Sequence, residues 1–189
     1  MEEDPTAQMR EDLIAPCGMN CGICVSYLAM RNDLRKKGFG KTYCAGCLPR
    51  GKNCTFMKSH CDLLGKGLVR FCYECSDYPC HRLKALDKRY STNYHMSMIE
   101  NLEFIKTHGI GKFLEKEAAK WQCPECGEVI CCHNGLCFNC GLDKLRQKKQ
   151  KYRWEERPAK YMYLGPAASS VVPDGSLVES NTIPVDSFS

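Results

Sequence analysis

Sixteen cysteines in 189 residues carry most of the chemistry open to this chain. The first three lie in Pro16-Cys17-Gly18-Met19-Asn20-Cys21-Gly22-Ile23-Cys24, at the spacing C-x3-C-x2-C. Three such thiolates could hold three irons of a [4Fe–4S] cluster and leave the fourth iron open for chemistry. The same residues could also form part of a closed structural zinc site. They open a group of ten: Cys17, Cys21, Cys24, Cys44, Cys47, Cys54, Cys61, Cys72, Cys75 and Cys80. One ion needs four thiolates, so this group has enough for two sites. Cys21/Cys24 pair with Cys44/Cys47 in one arrangement, and Cys54/Cys61 with members of the Cys72, Cys75, Cys80 group. Spacing alone does not fix the connectivity.

A radical enzyme binding S-adenosylmethionine on the open iron would carry this motif on a large α/β barrel, about 250 residues when complete. No alternation of strands and helices follows Cys24, and the next cysteine comes by position 44. The context therefore disfavours a radical enzyme. Closed iron–sulfur clusters are the alternative to zinc for these ten cysteines, although the run C-x2-C-x2-C-x3-C-P is absent.

The second group, CPECGEVICCHNGLCFNCG, has two C-x-x-C knuckles, Cys123/Cys126 and Cys137/Cys140, each followed by glycine. Four thiolates about 2.3 Å from a metal satisfy tetrahedral zinc and leave no open position. This pattern predicts a structural zinc ribbon, with rubredoxin-type iron as the alternative. Cys131, Cys132 and His133 fall on the turn between the knuckles. They would be an exchangeable ligand or redox thiol, or else a hairpin tip supporting the knuckles; a closed four-ligand site favours the tip.

Little else in the sequence assembles a catalytic set. His60 abuts Cys61 and His81 abuts Cys80, but sequence neighbours seldom face each other, and metal-ligand use suits these cysteines better. Cys80 opens a helix, where a thiolate is stabilised, so it is the best candidate for a reactive thiol if not a ligand. His95 and His108 read as surface or capping groups. No catalytic residue is assigned, the chain leans away from being an enzyme, and no small-molecule substrate is inferred.

Several elements must position these groups. Residues 23–37 read as a helix ended by Gly38, and a helix starts at Arg82 just after Cys80. Met98, Leu102 and Ile105 at i, i+4, i+7 predict a helix stopped at Gly109. Ile110, Phe113, Leu114, Ala118 and Trp121 share one face of the next, making a helical hairpin or bent connector. The fold class expected is a small α+β, α-rich metal-stabilised module of zinc knuckles and short helices, then a helical connector and a C-terminal zinc ribbon. Its divisions are an acidic flexible lead (1–13), a cysteine-rich metal-binding domain (14–93), the connector (94–121), the ribbon (122–143), a basic segment (144–163) and a disordered or partner-docking tail (164–189). Hydrophobic residues make up 43% only with cysteine included, so metal should replace part of the core.

The net charge of +5 is mild, but it concentrates after the ribbon. There Lys148, Lys149, Lys151 and Arg153, interleaved with Tyr152 and Trp154, could grip phosphates and stack on bases, or hold an acidic protein surface. A larger protein or ribonucleoprotein assembly, with RNA among its candidates, is the partner expected for this segment and the tail. The N-terminus has no apolar signal core and no run of eighteen apolar residues exists, so a cytoplasmic chain without membrane insertion is expected. In that reducing compartment, clustered C-x-x-C pairs mean metal more often than disulfides. Two or three zinc ions are expected, or an iron–sulfur cluster in the first group. The function read from this is a metal-binding adaptor or accessory protein; the alternative is an iron–sulfur redox or oxygen-sensing protein.

LIAPCGMNCGIC, CAGC, Cys54 and Cys61, and FCYECSDYPCHRLKAL together resemble the cysteine-rich prokaryotic domain-of-unknown-function family 3795. Its members begin with C-G-x-x-C-x-x-C and end with C-x-x-C-x-x-Y-P-C before a helix. Several carry a C-terminal C-P-x-C-G ribbon with an I-C-x-H-x-G-x-C turn, matched here by Ile130, Cys131, His133, Gly135 and Cys137. The resemblance covers residues 14 to 141. It implies a bacterial or archaeal source, often anaerobic, and metal binding by the matching cysteines. It implies no activity, and Cys132 and everything past Leu142 lie outside it.

Overall fold

A computed structural model describes residues 9–50, 60–148 and 154. Cys54, Lys149, Lys151, Tyr152, Arg153 and the tail 164–189 lie outside the described residues. Among the described residues five α-helices follow one another: α1 (Val25–Arg31), α2 (Asp62–Gly65), α3 (His81–Tyr94), α4 (Met98–Lys120) and α5 (Leu142–Gln147). Short 3-10 turns lie at Glu11–Leu13, Cys21–Ile23 and Cys72–Glu74.

The longest elements follow the sequence pattern. Cys80 is the N-cap of α3, and His95 ends that helix in the left-handed conformation at φ 54°. Ser97 caps α4 by accepting the Glu100 N–H at 3.1 Å. The Asp87 carboxylate accepts the Ser97 hydroxyl at 2.7 Å and the Ile99 N–H at 3.0 Å, which locks the α3–α4 corner. Gly109, at φ 84° and ψ 165°, breaks α4 into the two predicted arms. Met98, Leu102 and Ile105 are buried from the first arm, Phe113 and Ala118 from the second.

Three expectations change. The helix predicted over 23–37 ends at Arg31. The Asn32 side chain donates to the Leu28 carbonyl at 2.9 Å, and Asp33 then adopts φ 47°, which a right-handed helix cannot continue. The Tyr43 hydroxyl and the Lys36 ammonium, each 2.7 Å from the Asp33 carboxylate, hold it there. Second, the β component is reduced, among the described residues, to isolated antiparallel bridges: Ile14 with Asn20, Gln122 with Val129, and Ile130 with Cys137. The knuckles turn the backbone back on itself too soon for a ladder to extend. Third, Met9 and Leu13, at the end of the stretch read as a loose lead, are buried.

A continuous apolar core joins the parts. Leu13, Ile23 and Leu28 meet Leu83, Leu102, Phe113, Trp121 and Phe138 in it, together with Cys17, Cys21, Cys72, Cys131 and Cys132. Among the described residues no helix is long and apolar enough to cross a membrane. The 16–24 loop lies directly beneath α4. Asn101 of that helix donates to the Gly18 carbonyl at 2.9 Å, and Cys72 N–H donates to the Pro16 carbonyl, also at 2.9 Å.

Candidate metal centres

The C-terminal group is closed by its backbone. Cys123 N–H donates to Glu128 O at 2.7 Å, Gly127 N–H to Cys123 O at 2.9 Å and Gly141 N–H to Cys137 O at 2.9 Å. A Cβ at position 141 would stand 2.6 Å from the Cys137 carbonyl oxygen, so the second knuckle tightens only over glycine. The Asn139 N–H points at Cys137 Sγ from 3.4 Å. Sulfur–sulfur distances are 3.6 Å for Cys123–Cys140, 3.5 Å for Cys126–Cys137 and 3.6 Å for Cys126–Cys140. A tetrahedron of sulfurs about 2.3 Å from a central ion has edges of roughly 3.8 Å, so the four thiols fit a metal with little adjustment. Among the described residues, this is the group whose ligand atoms all lie within 4.8 Å of one another.

Electrostatics carry the same implication. Burial opposes ionisation of Cys126, yet its thiol falls to about 7 because the Glu128 backbone N–H and the Cys137 and Cys140 thiols hydrogen-bond to its sulfur. Burial and neighbouring thiols push Cys137 and Cys140 upward. The Cys126 proton leaves readily while those of Cys137 and Cys140 resist, since crowded negative sulfurs repel one another without a cation.

The N-terminal cysteines form two gatherings. Cys21–Ile23 and Cys72–Glu74 are matching 3-10 turns, closed by Cys24 N–H to Cys21 O at 3.0 Å and Cys75 N–H to Cys72 O at 3.2 Å. Beside the first, Cys44 N–H donates to Ser26 O at 3.2 Å and Cys47 N–H donates to Cys21 Sγ at 3.3 Å. A hydrogen bond with the Cys47 side chain, then burial, drives the Cys21 thiol upward. Burial raises Cys24 to about 11, with the nearby Cys47 and Cys44 sulfurs adding to it. Cys21, Cys24, Cys44 and Cys47 are therefore neighbours. At the second turn, Cys61, Cys72, Cys75 and Cys80 line a cavity of about 30 Å³, closed in part by Tyr78. Asp77 N–H points at Cys75 Sγ from 3.4 Å, the same local arrangement as at Cys137.

Cys17, Cys131 and Cys132 are buried between these groups. Burial above all raises the Tyr90 phenol, and Cys132, Cys24 and Cys17 are near enough to add to it. Residues 131–133 form a plug into the N-terminal part. Cys132 N–H donates to Ile23 O at 2.9 Å, and Val25 N–H to His133 Nδ1 at 3.4 Å. Cys132 Sγ lies 3.2 Å from the same nitrogen, and the Tyr90 hydroxyl 3.5 Å from His133 Nε2. Burial, with Arg89 nearby, lowers His133 to about 4 and keeps its ring neutral. The tip thus serves the neighbouring loop more than its own knuckles, a role with no signal in local spacing.

Two members of the predicted contact set turn inward. Lys148 is buried, and the half-buried Trp154 donates its indole N–H to Cys132 O at 2.7 Å while packing edge-on to Trp121 and His95. Trp154 is thereby committed to packing rather than to a base. Sequence reading also missed Asn20, Asn101 and Glu117, polar residues buried where α4 covers the loop. For Glu117 a signal existed: it lies four residues from both Phe113 and Trp121, on the buried stripe.

Fold and sulfur groups together define a cysteine-rich helical protein with a site able to hold a metal ion. Residues 13–85 match the family described as protein of unknown function (DUF3795). The match ends within α3, so the connector and C-terminal cysteines lie outside it. No curated protein and no solved structure gives a significant match to the chain.

Proposed function

We propose that this chain is a zinc-stabilised adaptor whose C-terminal cysteines form a zinc ribbon and whose basic segment contacts a larger protein or ribonucleoprotein assembly. The observation carrying the proposal is the closed set of four sulfurs at Cys123, Cys126, Cys137 and Cys140, which leaves a bound ion no open position for substrate. Cys21/Cys24/Cys44/Cys47 and Cys61/Cys72/Cys75/Cys80 are the two further ligand sets. The iron–sulfur reading of the N-terminal groups draws on one fact: their sulfurs are not gathered within 4.8 Å as the ribbon's are. Elemental analysis and a visible spectrum of the full chain, purified without air, decide between the two. About three zinc ions per chain and no colour are expected. Brown protein with iron and sulfide would overturn zinc at the N-terminal groups.

The partner surface rests on charge. In the sequence Lys149, Lys151 and Arg153 fall between Lys148, which is buried, and Trp154, which gives its indole N–H to Cys132 O. With Trp154 engaged, phosphate contact carries binding more than base stacking does. A gel shift with single-stranded RNA should weaken steeply with added salt and be lost in the Lys149→Ala/Lys151→Ala chain. Retention that ignores salt would rule out this contact.

A further inference from the structure

We propose that Glu117 is a positioning residue for the first N-terminal cysteine group, acting through Asn20 on the turn that carries Cys21 and Cys24. The inference rests on the reading that Cys21, Cys24, Cys44 and Cys47 hold a metal ion. Glu117 lies on the second arm of α4 and is 0% exposed, as is Asn20. Its Oε2 accepts Asn20 Nδ2–H at 3.1 Å and the Trp121 indole N–H at 3.1 Å. The other end of the same amide, Asn20 Oδ1, accepts the Gly22 N–H at 2.9 Å, inside the Cys21–Ile23 turn.

The carboxyl group therefore decides which way the Asn20 amide faces. A reversed amide would set its oxygen against Glu117 Oε2 and its NH2 against the Gly22 N–H, two repulsive contacts in a dry site. With the amide fixed, the turn is capped and both sulfurs are presented from one rigid segment.

Stability alone does not account for this acid. Its Oε1 has no hydrogen-bond partner, and a leucine would fill the space without the penalty of burying a carboxyl group. Outer groups of this kind orient the ligands of metal sites, and their loss typically weakens metal binding by about 10–100-fold. Glu117 lies outside the family match, so the connector supplies a part that the cysteine-rich segment lacks.

The test follows zinc release from the full chain to a chromophoric chelator, with phases assigned by Cys44→Ser and Cys126→Ser. Glu117→Leu should speed the Cys44-dependent phase at least about 10-fold and leave the Cys126-dependent phase unchanged. Glu117→Gln keeps an oxygen for Asn20 and Trp121 and should stay near wild type. Asn20→Asp, which sets two carboxyl groups together, should match Glu117→Leu and serves in its place if that variant does not fold. Wild-type release from Glu117→Leu, or equal acceleration of both phases, would overturn the proposal while leaving the metal reading intact. A wild-type chain without any Cys44-dependent phase would overturn zinc at this group, and the proposal with it.

Discussion

Cys126→Ser should cost the chain the zinc ion proposed at its C-terminal cysteines and, with it, the docking of residues 131–133 against the N-terminal loop. Three remaining thiols cannot close a tetrahedral site, and structural zinc of this kind contributes about 10–16 kcal/mol of binding free energy to folding. That is comparable with the roughly 5–15 kcal/mol by which most domains are stable. The regular pairing of the C-terminal cysteine module amounts to isolated bridges at Gln122–Val129 and Ile130–Cys137, so beside the metal it is held by its share of the apolar core, Trp121 and Phe138 above all. Its tip carries the bonds from Cys132 to Ile23 and from His133 to Val25, and it receives the Trp154 indole. Loss of order there should expose Trp121 and Trp154, giving a red shift of tryptophan fluorescence. A chain of this length loses roughly 2–4 °C of melting temperature per kcal/mol, so the melting point should fall by about 10 °C or more. An unshifted fluorescence maximum and an unchanged melting point, with one ion fewer, would mean that the core holds the tip without metal.

Much of this arrangement is readable from local pattern. The apolar spacing over 98–121 specifies two helical arms and Gly109 the break between them, because one helix face and one left-handed residue are local properties. The C-x-x-C pairs likewise specify turns, as Cys21–Ile23 and Cys72–Glu74 show. The partners of those turns are not local. Cys47 reaches Cys21 because the chain turns at Asp33 and Tyr43 fastens that turn, a contact between side chains with no periodic signature. His133 is equally silent in the sequence. Its position between the knuckles suggests an exchangeable ligand or a tip supporting them, whereas its bonds to Val25 and Tyr90 belong to residues far along the chain. Trp154 looks like a nucleic-acid aromatic by its basic neighbours, but an indole that can cover Trp121 and give its N–H to a carbonyl gains more from burial.

Gly18→Ala should unfold the chain at markedly lower urea than Gly38→Ala, although the two glycines have almost the same φ. Gly18 has φ 84° and Gly38 φ 82°, and a side chain in that region costs roughly 1–2 kcal/mol at either position. A Cβ on residue 38 meets nothing within 4 Å. On residue 18 it would stand 2.5 Å from the Met98 carbonyl oxygen and 2.9 Å from Leu102 Cγ. The first is backbone in the opening turn of α4 and the second belongs to a fully buried side chain, so neither can retreat cheaply. Overpacking of this sort adds about 1–3 kcal/mol, and it would also pull the Gly18 carbonyl from Asn101. Urea midpoints of the two variants isolate the packing component, because the backbone component is common to both. Equal midpoints would mean that α4 yields to the loop. A lower midpoint for Gly18→Ala would give the C-x3-C spacing a second physical cause: between Cys17 and Cys21 the chain must pass under a helix at a distance that only glycine permits, whatever ion the sulfurs hold.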